Sequence, residues 1–418
     1  MSRNQVLLAA LLLGASLAVS SRVVSANEAV LWSFDGVDGS APFDTVSIDT
    51  AGNLYGTTIQ GGTFGLGAVF ELSPPTIGGG AWTESVLWNF GSGSDGASPF
   101  ATVTVDQSGN LYGTTCAGGT YLGPNGGLGT VFKLSPPATA DGSWTESILW
   151  NFGNGNDGSC PESQLLLGAN GVLYGTTYFG GKLALGTVFR LAPPASGSSP
   201  WRETILWNFD GANGSLPIGR LIKDKAGNLY GTTGHGGTFG SGTAFKLGLP
   251  PGGGKWTEFV LWNFGNGTDG ARPLDGLTMD ASGNLYGTTW EGGTYLGGGT
   301  AFELIPPDTS GGSWTESILW DFGNGFDGAN PAGYLLLDKA GNLYGTTQLG
   351  GHGGKAFRLK PPAISGDGWS ESILWSFGGT DDSAEPFGGL LLGPDNVFYG
   401  TTNAGGASDR GTVFQLTN

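Results

Sequence analysis

One pentapeptide, (L/F)YGTT, begins seven times in this chain, at Leu54, Leu111, Leu173, Leu229, Leu285, Leu343 and Phe398, with spacings of 57, 62, 56, 56, 58 and 55 residues. Self-similarity at a near-fixed period of this size restricts the fold to a solenoid, an array or a propeller. Each copy is followed by Gly-Gly, a short loop and a segment of the form GTVFxL, as in Gly129 to Leu134. Six copies continue with Pro-Pro and a Gly/Ser-rich bridge. A third segment, WTESILWNF in Trp144 to Phe152, then leads through an Asp-Gly loop to a proline and a fourth segment such as Gly333 to Asp338.

All four segments are short, rich in Val, Ile, Leu, Thr and aromatics, and bounded by Gly, Pro, Asn or Asp, which predicts strands joined by turns. Four antiparallel strands per unit make a propeller blade. With the strands ordered a (after Pro), b (YGTT), c (GTVF) and d (ESILWNF), the chain opens on a d segment, Glu28 to Phe34, and ends on a c segment, Gly411 to Leu416. Its two ends hold complementary parts of one blade. The expectation is therefore an all-β, seven-bladed β-propeller of four-stranded antiparallel blades, a single domain over 27–418, closed by the N-terminal strand completing the C-terminal blade. Closure removes two sheet edges, whereas a solenoid would need polar capping repeats that neither end supplies.

The aromatic residues test the repeat independently. Of 14 Trp, seven occupy the LW position and six open the WTE segment, so Trp290 alone lies outside the pattern. Seven of 11 Tyr belong to YGTT, and 14 of 23 Phe belong to the VF and LWxF positions. Side chains that each bury roughly 150 to 250 Å² at equivalent strand positions read as the filling between blades.

Arg3, the apolar run Val6 to Val19 and Val24-Ser25-Ala26 have the three regions of a secretory signal peptide over 1–26, and the run is too short for a transmembrane span. A monomer exported without membrane insertion is expected. The formal net charge of -17 would repel phosphate backbones and anionic headgroups, which argues against nucleic acid as a partner.

The strings (L/F)YGTTxxGGxxxxGTVFxLxPP and WTExxLWxF resemble the GloVer repeat of bacterial choice-of-anchor tandem repeat proteins, over Glu28 to Leu416. The resemblance implies repeats and export, and it carries over no catalytic residue. Members often end in a surface-anchoring tail; none follows Leu416, so release into the periplasm or medium is expected.

Function is sought where the copies differ, on the face shared by the b-to-c and d-to-a loops. After YGTT stand Ile59-Gln60, Cys116-Ala117, Tyr178-Phe179, Gly234-His235, Trp290-Glu291, Gln348-Leu349 and Asn403-Ala404, and the same loops carry Phe64, Tyr121, Phe239 and Tyr295. Trp290, Glu291, Tyr295, Tyr178, Phe179, Tyr121 and His235 are the candidate ligand-binding set, suited to a glycan or a peptide because a flat apolar body stands beside polar groups. The plainer reading is that the Phe and Tyr after Gly-Gly pin each loop onto the next blade. Cys116 and Cys160 face each other across adjacent blades and predict a structural disulfide, the alternative being two free thiols.

The recurrent Asp-Gly residues (Asp38, Asp95, Asp157, Asp269 and Asp327, with looser copies at Asp210 and Asp382) either bond their own loop amides or hold Ca²⁺, without the twelve-residue EF-hand spacing. His235 and His352 lie in different blades, which argues against a multi-His metal centre, and no cofactor motif is present. Asp44, Glu162, Asp275, Glu291, Glu385 and Asp409 are candidates for a carboxylate pair. Three functions follow: a non-catalytic binding propeller, a glycoside hydrolase or lyase, and a structural envelope or matrix component.

Overall fold

A computed structural model describes residues 26–417 apart from 77–78, 124–125, 140, 196–199, 250–251, 253, 296, 310, 365 and 380–381; residues 1–25, and with them nearly all of the leader expected over 1–26, lie outside the described residues. Seven four-stranded antiparallel sheets form a ring. Blade one shows the unit: strand a at Ser47–Ile48, b at Leu54–Thr58, c at Ala68–Ser73 and d at Thr83–Asn89, hydrogen-bonded in chain order. Blade seven is completed by Asn27–Ser33, which pairs antiparallel with Thr412–Thr417 from Asn27↔Thr417 to Ser33↔Thr412. The chain ends thus close the ring.

Each piece of the repeat has a packing reason. The glycine of YGTT lies opposite the c-strand phenylalanine, Gly56 opposite Phe70 in blade one, and a Cβ at that glycine would collide with the ring in every blade. The same phenylalanine meets the LWxF phenylalanine of the preceding blade, as in Phe34–Phe70 and Phe90–Phe132 with centroids 5.0 and 5.1 Å apart. These rings are fully buried and fill the seams between blades. In every d strand the register slips by one residue, so that Val69 pairs with Trp88 and Phe70 with Val86, leaving Leu87 bulged. The bulge explains a run such as Ile-Leu-Trp that breaks strict alternation.

Strand a is only two residues long in each blade, shorter than the segment read from sequence. Its preceding backbone is engaged across the blade boundary instead. In six of the blades the first threonine of YGTT donates to a carbonyl of the following blade, as in Thr57→Ala101 O, Thr232→Asp275 O and, across the closure, Thr401→Asp44 O, the exception being Thr176 of blade three. The longest spacing, 62 residues, holds an extra hairpin, Leu122–Gly123 with Gly126–Gly127.

Candidate functional site

The b-to-c and d-to-a loops meet on one face, where they pair antiparallel in all seven blades, for example Ser40↔Gln60, Ser215↔His235 and Ala271↔Glu291. The d-to-a loop ends in a residue followed by proline. That residue is Ala41, Ser98, Cys160, Leu216, Arg272, Asn330 or Glu385, and each has φ between 53° and 58°. A left-handed non-glycine conformation costs roughly 1–2 kcal/mol and persists only when its surroundings over-determine it. Two backbone bonds do so here. Arg272 N–H donates to Ser241 O while Arg272 O accepts from Trp290 N–H, and the other six positions repeat the pair of bonds with their own loops.

This ring of bends presents the variable side chains. Cys160 is disulfide-bonded to Cys116, joining blade two to blade three. The Arg272 guanidinium donates to Glu291 Oε1 at 2.7 Å, with side chains 37% and 44% exposed. Such an exposed pair contributes about 0–1 kcal/mol, so its consequence is a fixed presentation of charge. Arg272 also faces His235, whose imidazole is held below its usual pKa by burial and then by that guanidinium. Tyr178, edge-on to Phe179 at 4.5 Å, is shifted upward by burial and by Glu162, with Arg272 opposing.

Around the axis, the residue after each proline (Phe43, Phe100, Glu162, Ile218, Leu274, Ala332, Phe387) lines a cavity of about 120 Å³. Trp290 stacks on Phe387 at 5.8 Å, Phe387 on Phe43 at 4.5 Å, and Phe43 meets Phe100 edge-on at 5.5 Å. The Arg220 guanidinium lies 3.4 Å from the Tyr334 ring centroid, between this cavity, which Arg220 lines, and a second one of about 280 Å³ that Arg220 and Tyr334 both line. Asp44 accepts from Thr45 N–H and Thr102 N–H, and Asp275 accepts from Gly276 N–H and Tyr334 N–H. Burial, then the charge of Asp275, pushes Asp44 up to about 6, and burial raises Asp275 against the pull of Arg220. Glu162, at the cavity wall 3.2 Å from the Cys160 sulfur, is pushed by burial to about 7.

The structure therefore groups Tyr178, Phe179, His235, Glu291 and Trp290 on the side of the face held by blades three to five. Tyr121 and Tyr295 stand apart on the rim with Phe64 and Phe239, each over the glycine (Gly153, Gly323, Gly91, Gly265) of the turn leaving its own blade. Glu385 is a bend residue, Asp409 accepts from Gly405 N–H within its own loop, and His352 lies on an exposed loop. The Asp-Gly carboxylates bond inside their own loops: Asp157 takes Gly153 N–H and the Trp150 indole, and Asp269 takes Gly265 N–H and the Trp262 indole. Sequence reading missed Arg272, Arg220, Tyr334 and the axial phenylalanines. Aligning the copies on Pro42, Pro99, Pro161, Pro217, Pro273, Pro331 and Pro386 exposes them at fixed offsets of one before, one after and three after.

The profile of a family described as the Gloeobacter/Verrucomicrobia repeat matches residues 19–245 and 219–418. No curated protein matches the chain. Among solved structures, a "putative 6-phosphogluconolactonase" from Bacteroides uniformis is similar in fold, with a TM-score of 0.50 and 12% identity over 79% of this chain and 84% of that one. Trypanosoma rangeli sialidase aligns with a TM-score of 0.41 and 10% identity over 94% of this chain and 59% of that one. At 12% identity the likeness to the Bacteroides uniformis protein is one of fold alone.

Proposed function

The chain belongs to the Gloeobacter/Verrucomicrobia repeat family, and from that premise we propose that it is an exported, non-catalytic binding propeller that recognises a glycan on its loop face. The observation that carries this reading is the seven-membered ring of over-determined left-handed bends, which spends conformational energy on presenting side chains that differ from blade to blade. On the side of blades three to five, Tyr178, Phe179 and Trp290 offer ring faces beside the Arg272–Glu291 pair and His235. Sugar hydroxyls need that combination of stacking surface, donor and acceptor. Export is supported by the leader-like segment 1–26 and by the disulfide. No described helix is long and apolar enough to cross a membrane.

The axial cavity favours surface binding over catalysis in depth. Its volume of about 120 Å³ falls below the roughly 300–1,000 Å³ of ligand-enclosing pockets. Two of its carboxylates, Asp44 and Asp275, are committed to backbone amides. A carbohydrate-active enzyme is the second reading, favoured by the place of Glu162 in the cavity wall, where burial pushes its carboxyl up to about 7, the range a general acid needs.

Glycan-array and peptide-library binding by residues 27–418, with polysaccharide turnover measured in parallel, separates the readings. The expected result is glycan binding that weakens by about tenfold or more in Tyr178→Ala, Arg272→Ala and Trp290→Ala, with no turnover. Peptide binding alone refutes the glycan, unchanged affinity in all three variants refutes the site, and turnover lost in Glu162→Gln establishes the enzyme.

A further inference from the structure

Between blades five and six an outer cleft of about 770 Å³ is lined by Trp320, Asn324, Asp327, Trp369 and Glu371, among others. Asp327 and Glu371 are each only 5% exposed. Neither oxygen of Glu371 has a hydrogen-bond partner, nor has Asp327 Oδ1. Asp327 Oδ2 accepts from the Trp320 indole at 3.2 Å.

This junction departs from its six relatives in two ways. Glu28, Glu84, Glu146, Glu203, Glu258 and Glu316 each bury one oxygen without a partner, whereas Glu371 buries both. In the loops of Asp95 and Asp157, the glycine amide donates to the aspartate, as Gly91 does to Asp95 and Gly153 to Asp157. At Asp327 the Gly323 amide bonds Gly328 O at 2.9 Å and Oδ1 is left without a hydrogen-bond partner, whereas Gly265, which bonds Gly270 O at 3.0 Å, still reaches Asp269 Oδ1 at 2.9 Å. Lys355, which acts on Glu371 electrostatically, has its ammonium on the Ser376 hydroxyl at 2.9 Å.

Three enclosed carboxylate oxygens in one cleft, none with a hydrogen-bond partner, match the demand of a hard divalent cation. We propose that Asp327 and Glu371 bind Ca²⁺ between blades five and six, through Asp327 Oδ1 and the Glu371 oxygens, with water from the open cleft completing the shell. Few protein ligands and an open mouth place the site in the weak range of extracellular modules, about 10⁻⁴–10⁻³ M.

The test uses residues 27–418 dialysed against chelator. Tb³⁺ titration with tryptophan excitation is expected to give saturable emission, because Trp320 and Trp369 line the cleft, and Ca²⁺ should displace the lanthanide and raise the melting temperature. Glu371→Gln and Asp327→Asn should each weaken Ca²⁺ binding by about tenfold or more, while Asp141→Asn on an exposed bridge leaves it unchanged. Trp369→Phe retains all the oxygens, so it should dim the emission and keep the Ca²⁺ affinity, which preserves the test if a carboxylate variant fails to fold. No Ca²⁺ response at millimolar concentration would overturn the site, as would equal affinity in both carboxylate variants; either result leaves the carboxylates sharing only a proton.

Discussion

Gly276 occupies the offset that in neighbouring copies holds Arg220 and Tyr334, and a Cβ there would collide with the Arg220 carbonyl oxygen and stand 2.5 Å from its Cγ. Gly389 makes the same allowance for the Tyr334 ring. The axial plug is thus two large side chains admitted by two glycines. Gly276→Ala is expected to destabilise by about 1–3 kcal/mol in urea denaturation, while Gly234→Ala, whose nearest neighbour would lie 3.5 Å away, stays within about 0.5 kcal/mol. The bends supply a second case. Ala41→Gly should be tolerated, whereas Ala41→Val places a β-branched residue at φ 56° and should cost about 1–2 kcal/mol more. The bends were not legible before the structure, because a positive φ at alanine or leucine leaves no trace in composition, whereas the offset shared by Arg220, Gly276 and Tyr334 stands in the sequence once the copies are aligned on their prolines.

At the scale of strands and loops, the d strand combines a bulge with a carboxylate that faces the preceding Asp-Gly loop. Burial, followed by the charge of a neighbouring aspartate, raises Glu146, Glu203, Glu316 and Glu371 from the ordinary carboxylate range to about 8, and Glu84 and Glu258 to about 7. A raised folded-state pKa means that the folded protein holds protons the unfolded chain releases. The stabilisation is therefore complete below the unfolded value and fades as pH climbs through 7 and 8. Without Ca²⁺, the melting temperature should fall between about pH 5 and pH 8.5, with a shallower slope in Glu203→Gln. The disulfide closes a separation of 44 residues between adjacent blades, so Cys116→Ala with Cys160→Ala should lose about 2–4 kcal/mol in chemical denaturation. The four strands, their order and this bond were all readable, since each copy repeats the same apolar run and turn residues. The bulge and the brevity of strand a were not, because the first is a register slip set by pairing of c with d and the second follows from bonds made to another blade.

Across the whole molecule, seven blades close through one antiparallel pair of chain ends, and complementary fragments at the two termini made that closure legible. The site was readable only in outline: variable loop residues marked the face, but which of them gather near Arg272 depends on how blades three to five sit in the ring. If closure comes from pairing alone, continuity of the chain there is immaterial. A circular permutant that links Asn418 to Asn27 through a short Gly/Ser segment and opens between Gly79 and Gly80 should fold with an unchanged melting temperature, whereas deleting residues 27–34 should expose the c-strand edge and cause aggregation. A permutant that melts far below the parent would show that the pair at Asn27 and Thr417 does more than complete a sheet.

That pair also fixes an orientation. Asn27 and Thr417 are partners at the end of blade seven remote from the loops that bear Arg272 and Tyr178. A bead, dye or solid support attached through either terminus would sit behind the ring like the back of a dial, leaving the opposite side turned outward for whatever approaches from solution.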